Sequence, residues 1–391
     1  MAQADMADSK LAHAHVFTNV DPDLFYKQFP GSQPELDGIR FTFGLDVPDN
    51  IDVLIVYTRA SYSIPTALPQ ERTVFLAAEP DVIHPYSAGF LNQFGIVLTA
   101  TDKPLKTEQW RTACCTIWFA GIDFSNVETY ASEMGHKGVD WFKSLKMPEK
   151  QNKISIVTSN KSFTTYHRKR LAFIDALMEI IPERIELFGK GFRSVDDKKD
   201  ALLPYRYHLA VENCDGPDLW TEKLADPYLC GAFPFYAGCT NIEDYFPSDS
   251  FHYVDLNKPE EAARQMVAMM DSDHWNSVQP ALQTARQEVL TTYNASHLLV
   301  RLAKAALAKP VSPGQKRRRL IRSERSIWPE KGAKGSVGQW ALRNLLLTFD
   351  PKAELRFAPV QRALEERRTR RRLRRRQLDE AAKSQGEQPP Q

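Results

Sequence analysis

The sequence predicts an α/β protein made of two Rossmann-like halves, and three observations carry that reading. Short β-rich runs recur at "IDVLIVY" (51–57), "RTVFLAAE" (72–79), "GIVLTAT" (95–101) and "CCTIWFA" (114–120), each bounded by polar residues or by Gly and Pro. A polar, proline-containing stretch, "KMPEKQNK" at 146–153, then has the composition of a linker. Beyond it come "ISIVTSN", a helical apolar spacing over 164–181, and the strand-like runs "IELFGK", "YHLAVEN", "FPFYAG" and "FHYVDL". That alternation is the β-α-β rhythm of a parallel sheet covered by helices. The expected organisation is a disordered N-terminus at 1–15, an α/β domain at 16–148, a Rossmann-like domain at 149–309 and a basic amphipathic or disordered tail at 310–391.

Composition narrows the class. With 391 residues, 42% hydrophobic and 26% charged, the chain has globular proportions, and no apolar run approaches the ~20 residues of a membrane-spanning helix. The first residues, "MAQADMADSKLAHAH", lack the basic and apolar regions of a secretory leader, so a cytoplasmic protein is expected. Cysteines at 114, 115, 214, 230 and 239 form no CxxC pair and no His-flanked zinc spacing, and they read as reduced, mostly buried thiols. "HAH" at His13 and His15 reads as part of a flexible N-terminal tail rather than a metal site.

The charge is unevenly spread. Residues 309–391 hold 22 lysines and arginines against 9 acids, a net +13, which leaves −11 for residues 1–308. An acidic globular part therefore precedes a basic tail.

The densest polar chemistry lies in "VENCDGPDLWTEKL" (211–224), between two apolar strand-like runs. In open α/β sheets such a position is a crevice at strand ends, where ligands bind. Thr221 is placed to cap a helix that Gly231 would end, which puts Glu222 and Lys223 in its first turn. A cation gains nothing from the positive end of a helix, so Lys223 there points to an anionic ligand.

These residues carry a family resemblance. "YHLAVENCDGPDLWTEKLADPYLCGAFPFYAG" resembles the C-terminal motif of the α-1,3/1,4-fucosyltransferases of glycosyltransferase family 10, bacterial type: an aromatic-apolar-(F/V)-E-N run, then T-E-K-(L/I), then P-(V/I)-x-x-G. The similarity continues through "FPSDSFHYVDL" and covers about residues 70–270. It implies a GT-B fold, with two Rossmann-like domains facing a cleft. The second domain would bind the donor GDP-fucose, and the first would approach an acceptor glycan such as a bacterial surface polysaccharide or lipopolysaccharide. Transfer in the family inverts the anomeric configuration, from a β-linked donor to an α-linked product. By this resemblance Glu222 holds the donor ribose and Lys223 meets the diphosphate, with Thr221, Glu212 and Asn213 lining the same crevice. Ser159 and Asn160, followed by a helix with Arg168 and Arg170, resemble the segment in which an arginine grips the phosphates, and Arg170 in "RLAFIDAL" is the better match. Where the family has a tyrosine, two residues before the threonine, this chain has Leu219; either the neighbouring Trp220 supplies the ring surface or the nucleotide contact is weaker.

The chemistry leads to the same residue types. Charge builds on a departing diphosphate, which fixed cations must neutralise, and Arg170 and Lys223 are the types available. The acceptor hydroxyl must lose a proton, which calls for a carboxylate on the opposite face, from the other domain. In "VFLAAEPDVIHP" Glu79, which ends a strand-like run and precedes a proline, is the candidate, with Asp81 as substitute. With two cations on the diphosphate no metal is required, and a divalent ion would at most stimulate. "DSD" at 271–273 follows a Met-rich helix and reads as a helix-ending turn, and "GKG" at 189–191 reads as a loop.

The tail combines "KRRRLIR" (316–322), "WALRNLLLTF" (340–349) and "EERRTRRRLRRR" (365–376). Such segments bind anionic lipid at about 1 kcal/mol per basic residue, so peripheral contact with the inner face of the cytoplasmic membrane is expected. Disorder or self-association is the alternative. Nucleic acid is not an expected partner, because residues 1–308 are acidic. Two other readings stand beside the fucosyltransferase: a related GT-B transferase using a different nucleotide sugar, and a non-catalytic polyanion-binding protein.

Overall fold

The computed structural model describes residues 11–81, 83–112, 117–123, 137–160, 162, 164–189, 191–311, 319–327 and 337–356. The chain forms two compact units: residues 1–59 with 68–317, and residues 60–67 with 318–391.

The larger unit is built on two sheets. The first contains β1 (Ala12–Phe17), β2 (Glu35–Leu36), β3 (Ile39–Gly44), β4 (Val53–Tyr57), β6 (Thr73–Leu76), β7 (Ile96–Leu98) and β8 (Glu108–Trp110), in the order β2-β3-β1-β4-β6-β7-β8. All neighbours are parallel except β2 against β3. The second contains β9 (Gln151–Val157), β10 (Ile185–Phe188), β11 (Tyr205–Gly216), β12 (Phe233–Cys239) and β13 (His252–Tyr253), all parallel, in the order β10-β9-β11-β12-β13. Both are predominantly parallel sheets of an α/β protein, as expected for GT-B. Every residue of β4 and of β12 is buried, as parallel strands covered on both faces require. In the second sheet, strand order reverses between β9 and β11, and the loops after these two strands therefore diverge to open a crevice.

Three expectations are corrected. Residues 11–15 are not a disordered leader: β1 runs through the middle of the first sheet. Its polar histidines disguised it. His13 Nε2 and His15 Nδ1 each lie 2.9 Å from Thr42 Oγ1, and burial pushes the His15 imidazole down to about 4, so it sits neutral in the sheet. "CCTIWFA" provides no strand in its described part: residues 113–116 lie outside the described residues, and from 117 on the backbone is irregular, with Trp118 and Ala120 entering the second core. The stretch read as a linker is partly structural. Lys150 is buried, and its ammonium donates to the carbonyls of Leu203 (2.6 Å), Tyr205 (3.2 Å) and Cys230 (2.8 Å), tying the entry of β9 to its neighbours.

The halves exchange segments. Trp118, Val139 and Phe142 pack into the second core. In return the helix Ala295–Ala308 lays Leu298, Leu299, Leu302, Ala303 and Ala306 against the first.

In the smaller unit β5 (Ile64–Thr66) pairs antiparallel with β14 (Arg319–Ile321). Part of the sequence read as a tail is therefore built into a folded unit, while residues 312–318 and 357–391, including the arginine run at 365–376, lie outside the described residues. The centre of this unit is the buried Glu354. Its Oε2 accepts from Ser63 N (2.6 Å) and Ser63 Oγ (2.7 Å), and its Oε1 from Ser323 Oγ (2.9 Å) and Arg343 Nη1 (2.7 Å). On the helix Val337–Phe349, Leu347 is buried, while Leu342, Leu345, Leu346 and Phe349 are exposed, Phe349 by 81%.

Removing the carboxylate from a site that satisfies four donors leaves a partly exposed guanidinium and the buried Ser63 N–H and hydroxyl without it, at a cost of about 2 kcal/mol. Glu354→Ala should therefore strip amide hydrogen-exchange protection from the β5–β14 pair while β1 and β11 stay protected. Retained protection at residues 64–66 and 319–321 would contradict the assignment.

Candidate functional site

The polar stretch following β11 lies at the carboxyl end of the second sheet, beside the loop that follows β9. The helix Thr165–Ile180 starts there, capped by Thr164, whose hydroxyl accepts from His167 N (3.0 Å). His167 Nδ1 in turn accepts from Thr164 N (3.3 Å), so the ring proton is on Nε2, which donates to Asn213 Oδ1 (3.3 Å). Nearly one turn further on, Arg170 Nη1 donates to the same oxygen (3.1 Å), and Nη2 reaches Ser159 O (3.5 Å). Arg170 is only 5% exposed, and its Nε has no hydrogen-bond partner among the described residues. The arginine thus bridges the ends of β9 and β11 at the point where strand order reverses.

The second helix, Glu222–Leu229, begins at the same edge with Thr221 as its cap. Glu212, buried at the end of β11, receives Thr221 N on Oε1 (2.8 Å) and Thr221 Oγ1 on Oε2 (2.7 Å). Lys223 Nζ lies 3.1 Å from Glu222 Oε1, 3.2 Å from Thr221 Oγ1 and 3.5 Å from Glu212 Oε2. Burial alone would lower the Lys223 pKa, but Glu222 and Glu212 together hold it above the ordinary lysine value. Burial raises Glu212 despite Lys223, whereas the Lys223 charge holds Glu222 below the usual carboxylate range against its own burial. Space here is fully used: a Cβ on Gly238 would fall 2.4 Å from Glu212 Cγ, so only glycine lets β12 pass this carboxylate.

Glu79 approaches from the first half, three residues past the end of β6. Burial pushes its carboxyl above the ordinary value, and Lys223 is the largest charge acting on it, ahead of Glu222, Arg59 and His84. A carboxylate of one half and an ammonium of the other therefore share a local field.

Other expected positions fall elsewhere. Asp81 accepts from Thr101 Oγ1 (2.6 Å) and pairs with Lys103 (3.5 Å). Arg168 is exposed and folds back on Ser162 O (3.2 Å) and Thr165 Oγ1 (3.1 Å) at the start of its own helix. Trp220 presents no ring to the crevice: it is 2% exposed, edge-on to Tyr245, Phe246 and Tyr293 in the second core. Asn160 is exposed beside Gly191. Unforeseen members are His167, recognisable as the third residue after a capping threonine, and Tyr166, whose hydroxyl is held up by burial and by Asp215 and Glu212. Among the described residues no group of three or more His, Cys, Asp or Glu is arranged to hold a metal, and no helix is long and apolar enough to cross a membrane.

Residues 147–277 match the family model described as glycosyltransferase family 10 (fucosyltransferase), C-terminal part. A fucosyltransferase-like protein of Arabidopsis thaliana is 36% identical over 102 residues, covering 25% of this chain and 20% of that one. The 4-galactosyl-N-acetylglucosaminide 3-alpha-L-fucosyltransferase 9 of Mus musculus is 33% identical over 130 residues, covering 31% and 34%. The chain thus spans about a third or less of the length of these curated relatives. An alpha1,3-fucosyltransferase crystallised with GDP-fucose aligns with a TM-score of 0.46 and 18% identity, over 77% of this chain and 91% of that one. The segment that matches the family model contains both capped helices and the Glu212–Lys223 cluster, and in residues 147–277 this chain is similar to glycosyltransferase family 10, the fucosyltransferases.

Proposed function

We propose that the protein transfers L-fucose from GDP-fucose to a hydroxyl of an acceptor glycan, with inversion at the anomeric carbon. The observation that supports this reading is that the segment similar to the fucosyltransferase family holds the buried Lys223 between Glu212 and Glu222 at the start of the helix Glu222–Leu229, with Arg170 buried across the same crevice. The acceptor oxygen attacks the anomeric carbon from the side of Glu79, which takes its proton. The bond to the diphosphate breaks on the other side, and GDP leaves with the electron pair. Arg170 and the N-terminus of Thr165–Ile180 face the developing charge, together with Lys223. An arriving diphosphate competes with Glu212 and Glu222 for Lys223, and Glu222, so released, is free to accept from ribose hydroxyls. The acceptor class proposed is a bacterial surface polysaccharide or lipopolysaccharide, joined through an α-1,3 or α-1,4 linkage.

Lys223→Ala should lower transfer roughly 100-fold and weaken GDP binding in calorimetry, with the fold intact by circular dichroism. Wild-type rate and GDP affinity in this variant would remove Lys223 from the donor site.

Glu79→Gln should lower transfer by about 100- to 10,000-fold with GDP affinity unchanged. A base must be ionised to act. Because burial raises the Glu79 pKa, wild-type kcat/KM should fall with decreasing pH through a value above that of an ordinary glutamate, and the variant's residual activity should lack this limb. An active Glu79→Gln with an unaltered pH profile would assign the base elsewhere.

A second reading, peripheral membrane contact, is favoured by the exposed Leu342, Leu345, Leu346 and Phe349 on a chain segment of net charge +13. Truncation near residue 312 would also remove the β14 partner of β5, so surface substitution is the cleaner test. Leu345→Glu combined with Phe349→Glu should abolish co-sedimentation with anionic vesicles and leave transfer to a soluble acceptor intact. Undiminished sedimentation would leave this face without a membrane role.

A further inference from the structure

Lys27 belongs to the first half by its neighbours and to the second by its contacts. It follows the short helix Asp23–Tyr26, whose Phe25 is part of the first core, and it is only 4% exposed. Its carbonyl accepts from Val139 N (2.7 Å), and its ammonium donates to Trp118 O (3.1 Å); both of those residues pack into the second core. The backbone beyond Trp118 is gripped by two carboxylates of the second half. Phe119 N donates to Asp226 Oδ1 (3.1 Å) and Gly121 N to Asp197 Oδ1 (2.9 Å). Asp226 is fully buried and ion-paired with Lys198 at 2.8 Å, and Asp197 pairs with Lys199 at 3.3 Å. Asp226 and Asp197 are also the two charges that favour the ammonium of Lys27, opposing its burial, which brings it down to about 8.

This seam has no slack. A Cβ on Gly138 would lie 2.1 Å from Lys27 O, and one on Gly121, where φ is +84°, would lie 2.6 Å from Lys137 O. It also leads directly to the candidate site. Asp226 stands three residues after Lys223 on the same helix, on adjoining turns of one face, and Lys198, its ion-pair partner, acts on Glu222 as well.

We propose that the buried chain Lys27–Trp118–Asp226 is a positioning device, which fixes the first half, carrying Glu79, in register with the helix that carries Lys223. The inference rests on the transferase reading for its consequence and on geometry alone for its existence. Lys27 touches neither donor nor acceptor. It acts by setting how far the base stands from the reacting centre, a separation in which an error of about 1 Å costs on the order of 100-fold in rate.

The test uses Lys27→Met, which keeps the length and buried volume of the side chain and removes the ammonium. Hydrogen exchange should show lost protection at residues 118–121 and 138–139, with β1 and β11 unaffected. GDP affinity by calorimetry should stay within about twofold, since every proposed donor contact lies in the second half, while kcat for transfer falls about 10- to 100-fold. This split between binding and turnover is what a merely structural loss would not produce. Lys27→Arg, which restores a donor and a charge, should recover part of the rate. Unchanged exchange at 118–121, or a kcat equal to wild type in folded Lys27→Met, would overturn the proposal, as would GDP affinity falling in step with kcat. Should Lys27→Met fail to fold, Asp226→Asn keeps the acceptor for Phe119 N and removes one charge of the seam, and it is judged by the same measurements. A wild-type protein that binds GDP but transfers no fucose would count against the transferase reading, whereas the exchange result would still decide whether the seam exists.

Discussion

The ammonium of Lys223, held between Glu212 and Glu222, is the interaction on which the rest of the site depends. A lysine at the start of a helix meets a positive field, and here two carboxylates outweigh it. Each has a further duty. Glu212 secures Thr221, the cap that starts the helix, and is itself confined by Gly238. Glu222 shares Lys198 with Asp226, through which the helix is joined to the backbone at Phe119. Pulling on this lysine therefore acts on a cap, a strand end and the seam between the halves at once. Pairing Lys223 with these carboxylates also avoids the cost of an uncompensated buried ammonium.

Much of the second half could be read from pattern alone, because its signals are local. β9, β10, β11 and β12 each contain a short strand-like apolar stretch, Thr221 and Gly231 bracket a helix of eight residues, and the polar stretch at 211–224 is short and dense. Arg170 and Glu212 are indicated by the resemblance of their segments to the fucosyltransferase motif. Glu79 was nominated by chemistry, as a carboxylate at a strand end in the opposite half.

What escaped is governed by contacts between distant residues. β1 alternates histidine with alanine and looks solvated until Thr42, on the neighbouring β3, supplies a partner for both rings. Trp220 sits next to the motif in sequence, yet Tyr245, Phe246 and Tyr293 draw its ring into the core, where burying a large indole outweighs offering it to a ligand. Nothing in "KMPEKQNK" marks Lys150 as the donor to three carbonyls, since two of those lie more than 50 residues away and the third lies 80 away. The exchange of Trp118 and the helix Ala295–Ala308 between the two cores is likewise invisible to periodicity, which reports only that a face is apolar and not which core it faces.

That exchange bears on how the chain is made. Synthesis proceeds from the N-terminus, and a domain with all its contacts at hand folds while the remainder is still being added. The first sheet lacks this option: its core is covered by a helix that begins at Ala295, and the Arg72 guanidinium waits for the carbonyl of Lys309, 237 residues later (2.9 Å). β5 waits longer still, because Ser63 meets Glu354 across a separation of 291 residues. The second sheet, whose strands all fall between Gln151 and Tyr253, has its core closed by Leu290, before the helix Ala295–Ala308 has been made. The second half can thus close before the first, and the N-terminal strands, rich in valine, isoleucine and phenylalanine, stay uncovered until the helix Ala295–Ala308 has been made. Such a nascent chain depends on rapid completion or on chaperones to keep those strands from pairing with one another on neighbouring copies.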